Sequence, residues 1–351
     1  MRTAWRPLAL TVALLLAGLQ IWQAISPDGA GQDFIPLRHA ARALLDGESI
    51  YQDPLFVYPP TAAVVLLPTV LGGESTAFTC WIAFQVACML YAAVLVAREA
   101  RERDRVPVAA AAIAAMLGGL AATRYLEIGN LTPCLAPVVA GVLIAFRRGE
   151  WTVGCALLAA SLLVKPLLAP LILLPLVNRA WRPLLTSMVP AAVVLLAGMV
   201  AIPGGSRFPE IVRYWVTGTN LHGDNAVNNL TLHGWAEAHG LRQSLATTLA
   251  VLIAAAVLFR FLVMKNPGAA LLLGTFLCGS LAEASYLPVA VTAVLLTPSR
   301  WLIPGLALLA APSIGVVTPQ TQLVAAESLL LTAFFIEQSS WNSIRSISFR
   351  A

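Results

Sequence analysis

Three polar features stand where an apolar chain has no structural need of them. Asp33, in Gly31-Gln32-Asp33-Phe34, follows an apolar run from Leu8 to Ile25. A carboxylate at the edge of a membrane span is costly unless it is solvated or used, and the use open to it is proton acceptance. Lys165, in Lys165-Pro166, interrupts a stretch that is otherwise apolar from Val153 to Val177. Each arm beside it runs about twelve residues, roughly 18 Å of helix, so the ammonium sits below the outer surface and needs an anion. A phosphate suits it, because lysine binds phosphate as a point charge; a snorkelling side chain is the plainer alternative. The third feature is Arg124-Tyr125-Leu126-Glu127-Ile128-Gly129-Asn130. It reads as a compact polar loop between apolar helices. Arg124 would be a second phosphate ligand there, with Glu127 or Asn130 meeting sugar hydroxyls. An Arg–Glu pair on a solvated loop is the alternative.

The elements around these residues decide whether they can meet. Phe34 to Leu45 predicts an amphipathic helix, with Phe34, Leu37, Ala41 and Leu44 or Leu45 on one face and Arg38 and Arg42 on the other. Asp33 then falls at its N-cap or first turn, and capping alone would account for it. Ser26 to Pro60 forms a first outer loop, and 204–243 a later one. The later loop holds His222, His233 and His239 among Asp224, Asn225, Asn228, Asn229, Trp215 and Trp235. Amides bond hydroxyls and indoles stack on sugar rings, whereas the histidine spacing fits no zinc pattern. A solvated loop with interfacial tryptophans is the alternative. Glu283-Ala284-Ser285-Tyr286 breaks the apolar pattern once more.

Composition fixes the class. Of 351 residues, 59% are hydrophobic and 11% charged, and mean hydropathy is +0.80. A soluble domain carries roughly 25% charged residues, so this chain predicts a single polytopic α-helical membrane domain over 1–351. Twelve candidate spans follow, at 8–25, 77–97, 107–122, 131–146, 152–164, 167–177, 183–202, 244–263, 268–282, 287–297, 302–317 and 323–338. Several fall short of the roughly 20 residues a crossing needs and must sink among neighbours. Thr61 to Leu71 either crosses or lies at the surface. The positive-inside rule selects the surface, because the arginines of 98–105 then fall inside with Arg2, Arg6, Arg147, Arg148, Arg179 and Arg182. Asp33, Tyr51, Tyr58, Arg124, Lys165, Glu283 and Tyr286 are then all outside. The net charge of +5 reflects these topology signals and does not point to nucleic acid. The five cysteines lie inside apolar runs, form no CxxC pair and predict neither disulfide nor metal. There is no Walker A, GxGxxG or GxSxG motif.

The Asp33-Phe34 loop, Asp46-Gly47-Glu48-Ser49-Ile50-Tyr51, Tyr58-Pro59-Pro60 and Gly129-Asn130 together resemble glycosyltransferase family 87. So do Leu163-Val164-Lys165-Pro166-Leu167-Leu168 and Asn178-Arg179-Ala180-Trp181-Arg182. The resemblance runs from about residue 30 to 290 and is strongest to members that transfer arabinofuranose. It implies a GT-C-type bundle of about twelve transmembrane helices, with an amphipathic juxtamembrane helix in the first outer loop. It implies transfer of D-arabinofuranose, with inversion, from a polyprenyl-phosphate donor to a cell-wall glycan or glycolipid acceptor, as α-1,3 branching of an arabinan. It further implies a bacterial plasma membrane and a site on the extracytoplasmic face. Asp33 matches the family's catalytic aspartate and Lys165 its lysine. Arg124 is expected beside the donor phosphate. Tyr51, Tyr58, Glu127, Asn130, His222, Asp224, Asn228, Glu283 and Tyr286 are expected around sugar and acceptor. The scheme requires no cofactor; a divalent metal is not indicated by the residues, and its use stays open. The chain departs from the family in having Gln32-Asp33 where arabinosyl members have adjacent acids, and Glu127-Ile128-Gly129-Asn130 where a Gly-Gln-x-Asn string is common. Three other readings compete: mannose transfer from polyprenyl phosphomannose, a flippase or transporter for lipid-linked glycans, and a noncatalytic polytopic scaffold, which leaves Asp33 and Lys165 unexplained. The absence of an inverted repeat weighs against the flippase.

Overall fold

The apolar runs fold as helices in the computed structural model, which describes residues 5–25, 31–118, 120–217 and 286–296, with isolated positions beyond them. In chain order these are α1 (Trp5–Ile25), α2 (Phe34–Asp46), α3 (Pro60–Val65), α4 (Glu74–Glu99), α5 (Arg105–Leu117) and α6 (Leu120–Ile128). Then come α7 (Ala136–Arg147), α8 (Trp151–Leu162), α9 (Leu173–Val177), α10 (Trp181–Ala201), α11 (Phe208–Thr217) and α12 (Leu287–Leu295). Short 3-10 turns precede α7 and α9, at Thr132–Leu135 and Pro166–Ile172. Among the described residues there is no β-strand.

Three of these helices, α1, α4 and α10, are long and apolar enough to cross a membrane. Thr132–Arg147, Trp151–Leu162 and Pro166–Val177 are apolar but shorter. The expected count of twelve spans therefore finds three full-length helices among the described residues. The runs 268–282 and 302–317 lie outside those residues, as do 244–263 and 323–338 apart from isolated positions. The run 107–122 is two helices, because α5 ends at Leu117 and α6 begins at Leu120, on either side of Gly118-Gly119. The residues 61–72 do not cross. They form α3 and a four-residue 3-10 turn, Leu67–Val70, together roughly 17 Å long against a hydrocarbon core of about 30 Å.

Two apolar clusters organise the packing. The first fills the bundle with small residues, including Ala13, Ala17, Ala92, Ala93, Ala112 and Ala136, around Met89, Leu117 and Val139. Small side chains let helix backbones approach closely where no water drives them together. The second holds α2, α3 and the start of α4 with aromatic side chains: Phe34, Tyr51, Phe56, Tyr58 and Trp81. The two ends of the bundle differ in chemistry. At one end Arg148 pairs with Glu99 at 2.6 Å, and Arg147 Nη1 donates to the Leu296 carbonyl at 2.9 Å. At the other lie Asp33, Asn130 and Lys165. From Gln85, which bonds Asn130, to Glu99 is roughly 21 Å along α4.

Candidate active site

α2 forms as expected and buries Phe34, Leu37, Ala40 and Ala41, with Arg42 exposed. Asp33 stands at its N-cap position, yet its side chain makes no capping bond. Capping therefore does not account for Asp33. Its Oδ2 instead accepts a hydrogen bond from Asn130 Nδ2 at 2.6 Å, across 97 residues of sequence. The backbones are laced together at the same place. Gly31 N donates to the Glu127 carbonyl at 2.6 Å, and Asp33 N to the Ile128 carbonyl at 2.7 Å.

The segment 124–130 is not the loop expected from its polar residues. Residues 120–128 are the helix α6, because Tyr125 and Leu126 turn inward and are buried. Gly129 ends it with a φ of +72°. A Cβ at this position would lie 2.8 Å from the Phe34 Cβ and 2.9 Å from the Phe78 ring. Glycine thus satisfies two constraints at once, a left-handed backbone and contact with the α2 entrance. Trp81 Nε1 donates to the Gly129 carbonyl at 2.7 Å, and Gln85 Nε2 to the Asn130 carbonyl at 2.5 Å. Two side chains of α4 therefore fix the turn that presents Asn130.

Lys165 lies in the break between α8 and the following 3-10 turn, in extended backbone ahead of Pro166. The lysine is held in place by α3, where Thr61 Oγ1 donates to the Leu163 carbonyl. Lys165 Nζ donates to Thr132 Oγ1 at 2.6 Å and lies 3.4 Å from Asn130 Oδ1. The rings of Tyr58 and Tyr286 also flank it, with centroids 5.2 and 4.9 Å away. Such contacts are worth about 0.5–2 kcal/mol each, more as water is excluded. The polarity of the network runs one way. Thr132 receives from the ammonium and gives its hydroxyl proton to Asn130 Oδ1 at 2.7 Å, while Thr132 N donates to the same oxygen at 2.9 Å. Asn130 Oδ1 is thereby committed as an acceptor, which turns the amide nitrogen toward Asp33. Asn130 and Thr132 are both buried, so each bond acts in a low dielectric. A donor aimed at the carboxylate favours its charged form.

The network thus brings together Asp33, Asn130, Lys165, Tyr58 and Tyr286. Glu127 contributes its backbone carbonyl. Tyr51 does not line the site with its hydroxyl: the residue is buried and its OH donates to the Tyr58 carbonyl at 2.8 Å. Burial pushes the Tyr51 phenol well above its usual range, with the Arg207 guanidinium acting in the opposite direction. It therefore stays a proton donor and props the ring that faces Lys165. Arg124 lies on α6; His222, Asp224, Asn228 and Glu283 lie outside the described residues. Sequence reasoning missed Thr132, Trp81 and Gln85. Thr132 sits between Leu131 and Pro133 at the start of an apolar run, and Trp81 and Gln85 lie inside another. Only their partners reveal them. Among the described residues no group of three His, Cys, Asp or Glu side chains gathers to hold a metal.

The profile of Glycosyltransferase family 87 matches residues 56–298. Among curated proteins the chain is similar to Alpha-(1->3)-arabinofuranosyltransferase of Mycobacterium tuberculosis, 28% identical over 205 residues, covering 56% of this chain and 47% of the relative. The protein of the same name from Mycolicibacterium smegmatis is 27% identical over 215 residues (58% and 49%). That from Corynebacterium glutamicum is 25% identical over 221 residues (59% and 52%). The chain spans about half the length of these relatives. Among solved structures, that of ArnT from Cupriavidus metallidurans in the apo state superposes with a TM-score of 0.49 at 14% identity, over 95% of this chain and 76% of that one. The family match covers more than half of the chain, which belongs to glycosyltransferase family 87.

Proposed function

We propose that this family 87 protein transfers D-arabinofuranose from a polyprenyl-phosphate donor to a glycan acceptor, with inversion, at the extracytoplasmic face of a bacterial plasma membrane. One observation carries the reading: a carboxylate and an ammonium meet on one buried side chain, Asn130, whose amide nitrogen bonds Asp33 while its oxygen faces Lys165 and Thr132. Similarity to three arabinofuranosyltransferases supports the choice of sugar.

The chemistry follows from the two charges. Asp33 takes the proton from an acceptor hydroxyl as that oxygen attacks the anomeric carbon. The bond from that carbon to the phosphate oxygen breaks, and the electron pair leaves with polyprenyl phosphate. Attack opposite the leaving group inverts the configuration. One base is enough, because a phosphate leaves without protonation. Lys165, with Arg124, holds the phosphate charge as it develops, and an ammonium already fixed by Thr132 and two rings needs no reorganisation to do so. Tyr58 and Tyr286 shape the entrance around the sugar phosphate. Asn130 keeps Asp33 aimed.

The test is transfer by the purified chain in lipid nanodiscs, given labelled polyprenyl-phosphoarabinose or polyprenyl-phosphomannose with an oligosaccharide acceptor. Linkage analysis of the product follows. An α-linked arabinosyl product is expected. A mannosyl product would overturn the sugar, and translocation without a new glycosidic bond would overturn the reaction.

A further inference from the structure

A second hollow, of about 380 Å³, lies on the outer loop away from the Asp33–Lys165 cluster. Its polar lining is His39, Ser49, Gln52 and Asp53; its apolar lining is Ala43, Ile50 and Pro54. Among the described residues no lysine or arginine lines it. We propose that this hollow is a binding subsite for an uncharged oligosaccharide, the acceptor glycan, at a distance from the reacting carbon.

The lining suits polyhydroxyl ligands and little else. A sugar hydroxyl both donates and accepts, so its site needs both functions side by side. Asp53 supplies an acceptor that is already oriented: Oδ2 lies 3.0 Å from His39 Nδ1, and Oδ1 receives the Leu55 backbone N–H at 3.0 Å. The His39 ring spends one nitrogen on Asp53, and its other nitrogen is the one a hydroxyl would meet. The Gln52 amide nitrogen donates to Glu48 Oε2 at 2.9 Å, which leaves its carbonyl oxygen as an acceptor. Ser49 adds a hydroxyl. Ala43, Ile50 and Pro54 give the apolar surface on which the C–H face of a sugar rests. A phosphate would find no lysine or arginine among these residues, in contrast to the site at Lys165.

The hollow is also built rather than incidental. Ile50 is buried, and its N–H donates to the Pro203 carbonyl at 3.0 Å. Gly204, in a left-handed conformation, closes on Ser49 so tightly that no side chain fits there. Arg207 Nη1 donates to the Tyr51 carbonyl at 3.1 Å. Residues more than 150 positions away thus hold the floor. The same loop continues to Tyr58, whose ring flanks Lys165, and α2 links the two places from its other side. Asp33 begins α2, and His39 lies on it roughly 9 Å further along the axis. An extended glycan seated in the hollow can therefore present its end toward the carboxylate. Volumes of this size fall within the usual range of about 300–1,000 Å³ for small-ligand sites.

This inference rests on the proposed transfer for the name of the ligand, but its test does not. The wild-type chain in nanodiscs is titrated with an arabinofuranose oligosaccharide and, separately, a mannose oligosaccharide, with no donor present. Saturable binding of one of them is expected. Gln52→Ala and His39→Ala should each weaken it about tenfold, while Lys165→Ala leaves it unchanged. Gln52 is exposed, so its variant keeps the test alive if His39→Ala folds poorly. No binding by the wild type, or binding at the wild-type level by both variants, overturns the subsite. In the transfer assay the variants should raise KM for acceptor and leave KM for donor unchanged; an unchanged acceptor KM overturns it as well. Absence of transfer from any donor, with oligosaccharide binding intact and variant-sensitive, would overturn the proposed reaction and leave the subsite standing.

Discussion

The bundle and the cap above it solve opposite problems. The bundle is packed by alanine, valine and leucine, and the buried hydroxyls of Thr292 and Ser161 bond back to their own helices. Thr292 donates to the Pro288 carbonyl at 2.7 Å, and Ser161 to the Leu158 carbonyl at 2.7 Å. The cap is packed by aromatic rings, with Phe56 between Tyr51 and Tyr58 at centroid distances of 5.6 and 5.5 Å. Several of its polar groups reach across the chain: Arg38 Nη1 to the Thr69 carbonyl at 2.7 Å, Arg207 to Tyr51, and Trp81 to Gly129. Local bonds satisfy a group without ordering anything else. Long-range bonds order the groups that make them, which a charged site requires. The bundle supplies depth, and the cap supplies position.

If that division holds, damage in the cap should cost chemistry, and damage in the bundle should cost only stability. Apart from replacement of Asp33 itself, the largest loss is expected for Gly129→Ala. A left-handed alanine in contact with Phe34 and Phe78 should cost about 2–5 kcal/mol in strain and overpacking. It should also misplace Asn130, so that transfer per folded molecule falls about a hundredfold, as measured on protein that survives size exclusion. Lys165→Ala comes next. Loss of the cation should weaken donor binding tenfold or more, corresponding to about 1.5–3 kcal/mol for a charge-assisted bond. Lys165→Arg should restore part of it. Thr132→Val, which removes both the bond from Lys165 and the bond to Asn130, should lower transfer by roughly tenfold, and Thr132→Ser should recover it. A purely steric role for Thr132 would give the reverse order. The smallest effect on chemistry is expected for Gly154→Ala in the bundle. An added Cβ there meets the Phe146 ring across α7 and α8. Melting temperature should drop, while transfer per folded molecule stays at the wild-type level. A matching loss of transfer would dissolve the distinction between the two regions.

The same contrast decided what could be read from the sequence. Asp33 and Lys165 were legible because each is a charge out of place in an apolar context, and an out-of-place charge is visible without a partner. The α2 helix was legible from its period. Thr132, Trp81 and Gln85 were not, because threonine, tryptophan and glutamine are unremarkable inside apolar helices until the partner is known. The pairing of Asp33 with Asn130 spans 97 residues, beyond any local pattern. The segment 124–130 misled because its polar residues suggested a loop, while the burial of Tyr125 and Leu126 makes it a helix. The run 107–122 reads as one span for a related reason: hydropathy averages over the end of α5 at Leu117 and the start of α6 at Leu120.

The division of labour between the two charges is tested most directly by Asp33→Asn in nanodiscs, with donor binding and sugar transfer measured on the same sample. Asparagine keeps the size of the side chain and removes its capacity to take a proton. Transfer should fall by about a thousandfold, while the isotherm for polyprenyl-phosphoarabinose stays that of the wild type. A variant that still transfers sugar, or that no longer binds the donor, would contradict the assignment of proton acceptance to residue 33 and phosphate binding to residue 165.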